Sequence, residues 1–185
     1  YGELHDTFPE ELSGIDAETF WRCINRVRPG FIRVESDELT YDFQIMLRVD
    51  IEAALIDGSL KVTDLPEAWN AKMKEYLGLE VPSDRLGVLQ DVHWSSGQVG
   101  TFCNYTIGNV MAGQLFAQAK TDERVAQGLA GADYVPLREW MTDHVHRHGR
   151  RYTRERLLER ATGRGLDPAP YVEYLTTKYS AIYDL

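Results

Sequence analysis

The chain has 185 residues, 43% of them hydrophobic, and a net charge of −9 from 29 acidic against 20 basic side chains. That acidic balance argues against nucleic acid as a partner, because neutralising phosphates needs a basic face, and a mean hydropathy of −0.38 with no long uncharged apolar run leaves nothing to span a membrane. A chain of this size buries roughly 70% of the surface its unfolded form exposes, enough for a single helical domain over residues 1–185 with its own core.

Tyr1 to Asp6 are polar and acidic, unlike a signal peptide. Asp16 is placed to cap a first helix with Phe20, Ile24 and Val27 on one face, stopped by Arg28-Pro29-Gly30. Phe31-Ile32-Arg33-Val34 alternates, which allows a short β-hairpin near residues 31–36. From about Leu39 to Asp57 the residues Leu39, Phe43, Leu47 and Ile51 recur every four positions, widened by Met46, Ala54 and Leu55, and Gly58 follows, so the spacing predicts a central core helix. Asp64 and Glu67 have the spacing of a capping box for a helix over Pro66 to Leu77, closed by Gly78.

Residues 79–100 read as a loop-rich stretch ending in Ser95-Ser96-Gly97 and Gly100, where backbone can turn tightly or approach a ligand. Further helices are expected over about Thr101 to Ala119, with Gly108, Ala112 and Gly113 permitting close helix contact, and over Leu137 to His148 and Thr153 to Ala161. A last helix, Pro168 to Tyr183, is announced by Asp167-Pro168 as N-cap and first helical residue. The fold class is therefore all-α. The two cysteines, Cys23 and Cys103, lack metal-ligand spacing, so reduced thiols in a cytoplasmic protein are the default.

The loop-rich stretch holds the densest chemistry, Gly87-Val88-Leu89-Gln90-Asp91-Val92-His93-Trp94. An amide, a carboxylate and an imidazole beside an indole suit a site that orients a polar ligand and shares a proton. The same residues equally suit a satisfied hydrogen-bond network bridging two helices. A basic stretch, His144 to Arg156, reads either as a solvated helix end or as an electropositive wall facing carboxylates. His144 and His148 stand at i and i+4 on the expected helix, a spacing that can grip zinc, but Val145 occupies the place where a catalytic Glu would follow the first His.

The octapeptide resembles Gly-x-x-Gln-Asp-x-His-Trp, a signature of the carboxypeptidase Taq family of zinc metallocarboxypeptidases. Upstream, Ile32-Arg33-Val34-Glu35-Ser36-Asp37 resembles that family's Ile-Arg-x-x-Ala-Asp, with Ser36 in place of Ala. Asn104-Tyr105-Thr106-Ile107-Gly108-Asn109 and His146-Arg147-His148-Gly149-Arg150-Arg151-Tyr152 resemble further segments in the same order, so the likeness runs over essentially the whole chain.

The resemblance implies a zincin-like helical fold and a peptidase that removes C-terminal amino acids using Zn2+. The family's His-Glu-x-x-His helix and the later Glu of its His-Glu-Ser-Gln-like segment do not occur in this sequence. The expectation is therefore the C-terminal portion of such an enzyme, inactive alone, with its zinc ligands upstream and no metal-ligating residue of its own. The expected partners are peptide C-termini, the missing N-terminal part and a second copy in a homodimer, but neither nucleic acid nor membrane. The alternative is a catalytically inert helical scaffold or dimerisation module.

Within that resemblance, Arg33 is the candidate for gripping the substrate carboxylate, since its planar fork donates two parallel hydrogen bonds. An ion pair with Asp37 or Glu35 is the bland reading of the same residue. Gln90, Asp91 and Asp37 join it on the substrate side, although Asp37 also suits the first turn of a helix. His93 is the candidate donor to the developing oxyanion, a role worth roughly 3 kcal/mol, or else a residue that Asp91 and Gln90 orient. Tyr105 is the second catalytic candidate, through its phenol, and Trp94 a packing anchor.

Overall fold

A computed structural model describes residues 1–185 as nine α-helices joined by turns and short 3-10 segments, with no strand. The residues group into two compact units, Tyr1–Cys103 and Asn104–Leu185.

The first unit contains α1 (Gly2–Thr7), α2 (Ala17–Ile24), α3 (Tyr41–Ile56) and α4 (Leu65–Leu77). Asp16 caps α2 as expected, accepting from the Thr19 amide at 2.7 Å, but the helix ends at Ile24, short of Val27 and the Pro29 stop. No hairpin forms at residues 31–36. Ile32 is extended, and the Glu35 and Ser36 amides then bond back to the Ile32 and Arg33 carbonyls, closing a 3-10 turn over Arg33–Glu35 instead of pairing with a second strand.

Leu47 and Ile51 of α3 pack with Trp69 and Met73 of α4 and with Val88 to form the core of this unit. The buried face of α3 is rotated from the one that the apolar spacing predicts. Phe43 and Met46 are exposed, and Gln44, Arg48 and Glu52 are buried beside Ile45, Leu47 and Ile51. The Asp64 capping box is not made: a 3-10 turn runs directly into α4, Asp64 bonds the Thr63 hydroxyl, and Pro66 has no N–H to offer. At the other end Gly78 takes the left-handed conformation at φ 70°, and the Gly78 and Leu79 amides close on the Lys74 and Met73 carbonyls.

The second unit is built from α5 (Cys103–Ala119, whose first residue ends the preceding unit), α6 (Glu123–Ala130), α7 (Val135–His144), α8 (Arg154–Thr162) and α9 (Ala169–Tyr183). Ala119, Val125 and Trp140 form its core with Leu115, Leu129, Leu137 and Met141 around them. Gly113 lets α5 approach α9 closely, since a Cβ there would lie 2.8 Å from Tyr171 Cβ. The last helix starts one residue later than expected, with Pro168 rather than Asp167 as its N-cap, though the Asp167 side chain still accepts from the Ala169 amide at 2.9 Å, and Thr153 caps α8. The expected helix over Leu137–His148 breaks at Val145 (φ −126°, ψ −65°), and His146–His148 form a separate 3-10 turn. No helix is long and apolar enough to cross a membrane.

Candidate functional site around Asp91

Leaving α4, the chain folds into a turn in which the Leu89 amide bonds Asp84 O at 2.9 Å and the Gln90 amide bonds Gly87 O at 3.2 Å. Gly87 is required by close approach: a Cβ would meet Val81 Cγ1 at 2.8 Å and Ser83 O at 3.3 Å. The Gln90 side chain then stitches this turn to the segment before α3. Its Nε2 donates to Phe31 O at 2.9 Å and to Gly87 O at 3.1 Å, while Oε1 accepts from the Arg33 amide at 2.8 Å and from Arg48 Nη2 at 2.9 Å.

Asp91 receives a different arginine on each oxygen. Arg33 donates to Oδ1 from Nε (3.0 Å) and Nη2 (2.8 Å), and a further donor, Nη1, reaches the Tyr41 hydroxyl at 3.1 Å. Arg48 closes on Oδ2 from the core side, with Nε at 2.7 Å and Nη2 at 2.6 Å. The Arg48 guanidinium also lies 4.5 Å over the Trp69 ring and 5.4 Å over Phe102, and that of Arg33 5.7 Å over Phe102, so cation–π attraction supplements the ion pairs.

The charge states follow from this packing. Burial pushes the Asp91 carboxyl up, but the hydrogen bonds and charges of Arg33 and Arg48 outweigh it and hold the group below the ordinary carboxylate range. Burial dominates at Arg48, bringing its guanidinium down to about 10 despite the Asp91 charge. Arg33, less deeply set, goes the other way: burial lowers it, and the Asp91 hydrogen bond and charge together more than restore it. Within this bonded set two guanidiniums share one carboxylate.

His93 sits against the same carboxylate, Nδ1 3.8 Å from Asp91 Oδ1, with its ring 4.4 Å from that of Phe102 and its side chain 12% exposed. Trp94 turns inward, edge-on to Trp69 and Phe102, and donates Nε1–H to Glu52 at 2.8 Å.

Of the residues singled out in the sequence, Arg33, Gln90, Asp91 and His93 thus converge. Arg33 pairs with Asp91 rather than with Asp37 or Glu35, and its donors toward Asp91 and Tyr41 are already engaged. Asp37 caps the turn into α3, accepting from the Thr40 amide and hydroxyl, each at 2.8 Å, and from the Arg28 amide. Tyr105 lies in the first turn of α5 in the second unit, 41% exposed. Arg48, Gln44, Glu52 and Tyr41 were missed. The available signal was their spacing, since Gln44, Arg48 and Glu52 interrupt an apolar helix at four-residue intervals.

The residues of this chain do not fit a metal. No group of three His, Cys, Asp or Glu side chains converges to hold one. His144 and His148 are parted by the break at Val145, and His144 stacks 4.3 Å from Trp140 with Nδ1 2.8 Å from the Trp140 carbonyl.

Comparisons with known proteins place the chain in a family. Residues 1–179 match the model of the carboxypeptidase Taq (M32) metallopeptidases, and the chain belongs to that family. It is 38% identical over 184 residues to carboxypeptidase 1 of Bacillus subtilis, covering 99% of this chain and 37% of the relative, and 38% identical over 177 residues to thermostable carboxypeptidase 1 of Thermus thermophilus, covering 93% and 34%. In structure it is similar to the M32 carboxypeptidase from Deinococcus radiodurans, with a TM-score of 0.96 at 42% identity over 100% of this chain and 37% of that one. Trypanosoma cruzi metallocarboxypeptidase 1 gives 0.90 at 36% identity, over 96% of this chain and 36% of the other. The chain therefore spans little more than a third of the length of the relatives it matches.

Proposed function

We propose that the chain is the C-terminal portion of a zinc-dependent carboxypeptidase that releases C-terminal amino acids from peptides, and that it supplies the substrate-side wall of the site. The observation that carries this reading is the convergence of Arg33, Gln90, Asp91 and His93, drawn from two separate segments, around one buried carboxylate. Zinc would be held by residues other than those described here.

In this reading Arg33 lends its charge to the substrate carboxylate, while Gln90 and Asp91 fix its direction and Asp37 acts by holding the turn that carries it. His93 donates to the oxyanion formed as the scissile carbonyl is attacked, and Tyr105, in the second unit, stays a separate catalytic candidate through its phenol. The two unpaired cysteines suit a reducing cytoplasm. The homodimer that the family resemblance suggests belongs to the same proposal, and light scattering of the intact protein measures it.

The inert-scaffold reading has an observation of its own: Arg33, Gln90 and Asp91 bond extensively to one another and to backbone, as structural networks do. Hydrolysis of a peptide and of its C-terminal amide by the intact protein separates the two. Cleavage of the free acid with the amide spared supports the carboxypeptidase. Cleavage of neither, or of both equally, overturns it.

A further inference from the structure

Beside the turn that carries Arg33, the first unit holds a cavity of about 650 Å³ that none of Arg33, Gln90, Asp91 or His93 lines. Its floor is apolar, made by Phe31, Ile32 and Leu86, and its charge comes from Arg26, Arg28 and Glu35. Arg26 and Arg28 follow the end of α2 in irregular backbone, two residues apart and exposed. The Arg28 amide donates to Asp37 at 2.8 Å, but neither guanidinium pairs with a carboxylate of this chain, and the Glu35 carboxylate accepts no hydrogen bond from it. A chain with 29 acidic side chains does not lack counter-ions, yet both cations front a cleft. Apolar walls focus the field of such charges and draw an anion into the opening.

Three demands define what fits: an anionic group for the guanidiniums, a cationic one for Glu35, and an apolar body for the floor. Inorganic phosphate would leave the apolar floor uncovered. A fatty acid would satisfy floor and guanidiniums but leave Glu35 facing no cation. A free apolar α-amino acid carries all three groups in one small molecule, and the cavity falls within the size range of sites for small ligands.

We infer that this cavity is a binding site for a free apolar α-amino acid, separate from the Asp91 cluster, with the α-carboxylate on Arg26 and Arg28 and the α-ammonium on Glu35. One stretch of backbone serves both places. Phe31 O accepts from Gln90 Nε2 at 2.9 Å and the Arg33 amide donates to Gln90 Oε1 at 2.8 Å, while Phe31, Ile32 and Glu35 line the cavity. The ligand class is read from the cavity itself. That such an amino acid is also what the enzyme releases rests on the carboxypeptidase reading, and it makes the cavity a place where product is sensed next to the turn that holds Arg33.

The test is calorimetric titration of the intact protein with L-phenylalanine, with phenylalaninamide, which lacks the carboxylate, and with N-acetyl-L-phenylalanine, which lacks the ammonium. The wild type should bind the free amino acid more tightly than either derivative. Arg26→Gln/Arg28→Gln should weaken L-phenylalanine by about tenfold or more, the scale of a lost charge-assisted hydrogen bond, and Glu35→Gln should remove the preference for the free over the acetylated amine. L-Phenylalanine that does not bind, or that binds both variants as it binds the wild type and so occupies another site, would overturn the inference. If the double variant does not fold, Glu35→Gln decides alone: an unchanged preference contradicts the site and a lost one supports it. A protein that shows this binding pattern but hydrolyses no peptide would overturn the carboxypeptidase reading and leave the amino-acid site standing.

Discussion

Arg48 and Asp91 meet through two donors on one oxygen, Nε at 2.7 Å and Nη2 at 2.6 Å from Oδ2, and neither residue has more than a sliver of side chain exposed. Such a pair contributes little over an apolar pair of the same shape, but breaking it on one side leaves a charge stranded in the core.

Asp91→Ala should therefore destabilise the chain by about 3–5 kcal/mol, because it removes the counter-charge of two buried arginines at once. Urea unfolding measures this. The double variant Asp91→Ala/Arg48→Met should be markedly less destabilised than the sum of the single changes, since the stranded guanidinium goes with the carboxylate.

Acid stability follows from the same residue. The folded carboxyl lies below its ordinary value of about 3.9, so its contribution is present in full above that value and is lost as pH falls through the lower folded value. The wild type should lose stability between pH 5 and pH 3 by more than Asp91→Asn does, as urea midpoints at the two pH values would show. Equal losses would mean that Asp91 does not titrate against the arginines.

This cluster was only partly legible in the sequence. The Gln90-Asp91-x-His93 spacing announced a polar site, and Arg33 stood out in its own motif, but their union spans 58 residues and depends on a fold that spacing does not encode. Arg48 was hidden for a sharper reason. Counting apolar residues at four-residue intervals placed Phe43 and Met46 inward, whereas the pairing of Arg48 with Asp91, with Gln44 and Glu52 in support, buries a polar strip of α3 beside Ile45, Leu47 and Ile51. Most helices were readable from their apolar spacing and from ends marked by residues such as Asp16 and Gly78. By contrast α1 and α6 went unread, although Asp122 opens α6 as a cap.

Two glycines of α5 should behave oppositely. Gly113→Ala sets a methyl 2.8 Å from Tyr171 Cβ and 2.9 Å from its Cα, and should cost about 1–3 kcal/mol through overpacking. Gly108→Ala meets nothing within 4 Å and should add about 0.5–1 kcal/mol of helix stability. Thermal unfolding of the two single variants measures both.

Asp37→Ala removes the acceptor of the Thr40 amide and should cost about 1 kcal/mol, as loss of an N-terminal cap does. Turnover by the intact protein should follow only that stability loss. A fall in kcat/KM out of proportion to the drop in Tm would return Asp37 to direct contact with substrate.

That His93 and Arg33 serve substrate rather than the fold alone is the proposal on which the carboxypeptidase reading stands. It is tested most directly by kcat/KM and Tm of His93→Ala and Arg33→Ala, measured side by side in the intact protein on a peptide with a free C-terminus. Losses of about 100-fold or more in kcat/KM are expected, the scale of a removed oxyanion donor, at a temperature where both variants remain folded. Variants that lose stability yet turn over peptide like the wild type while folded would contradict it and leave the Asp91 cluster as scaffold.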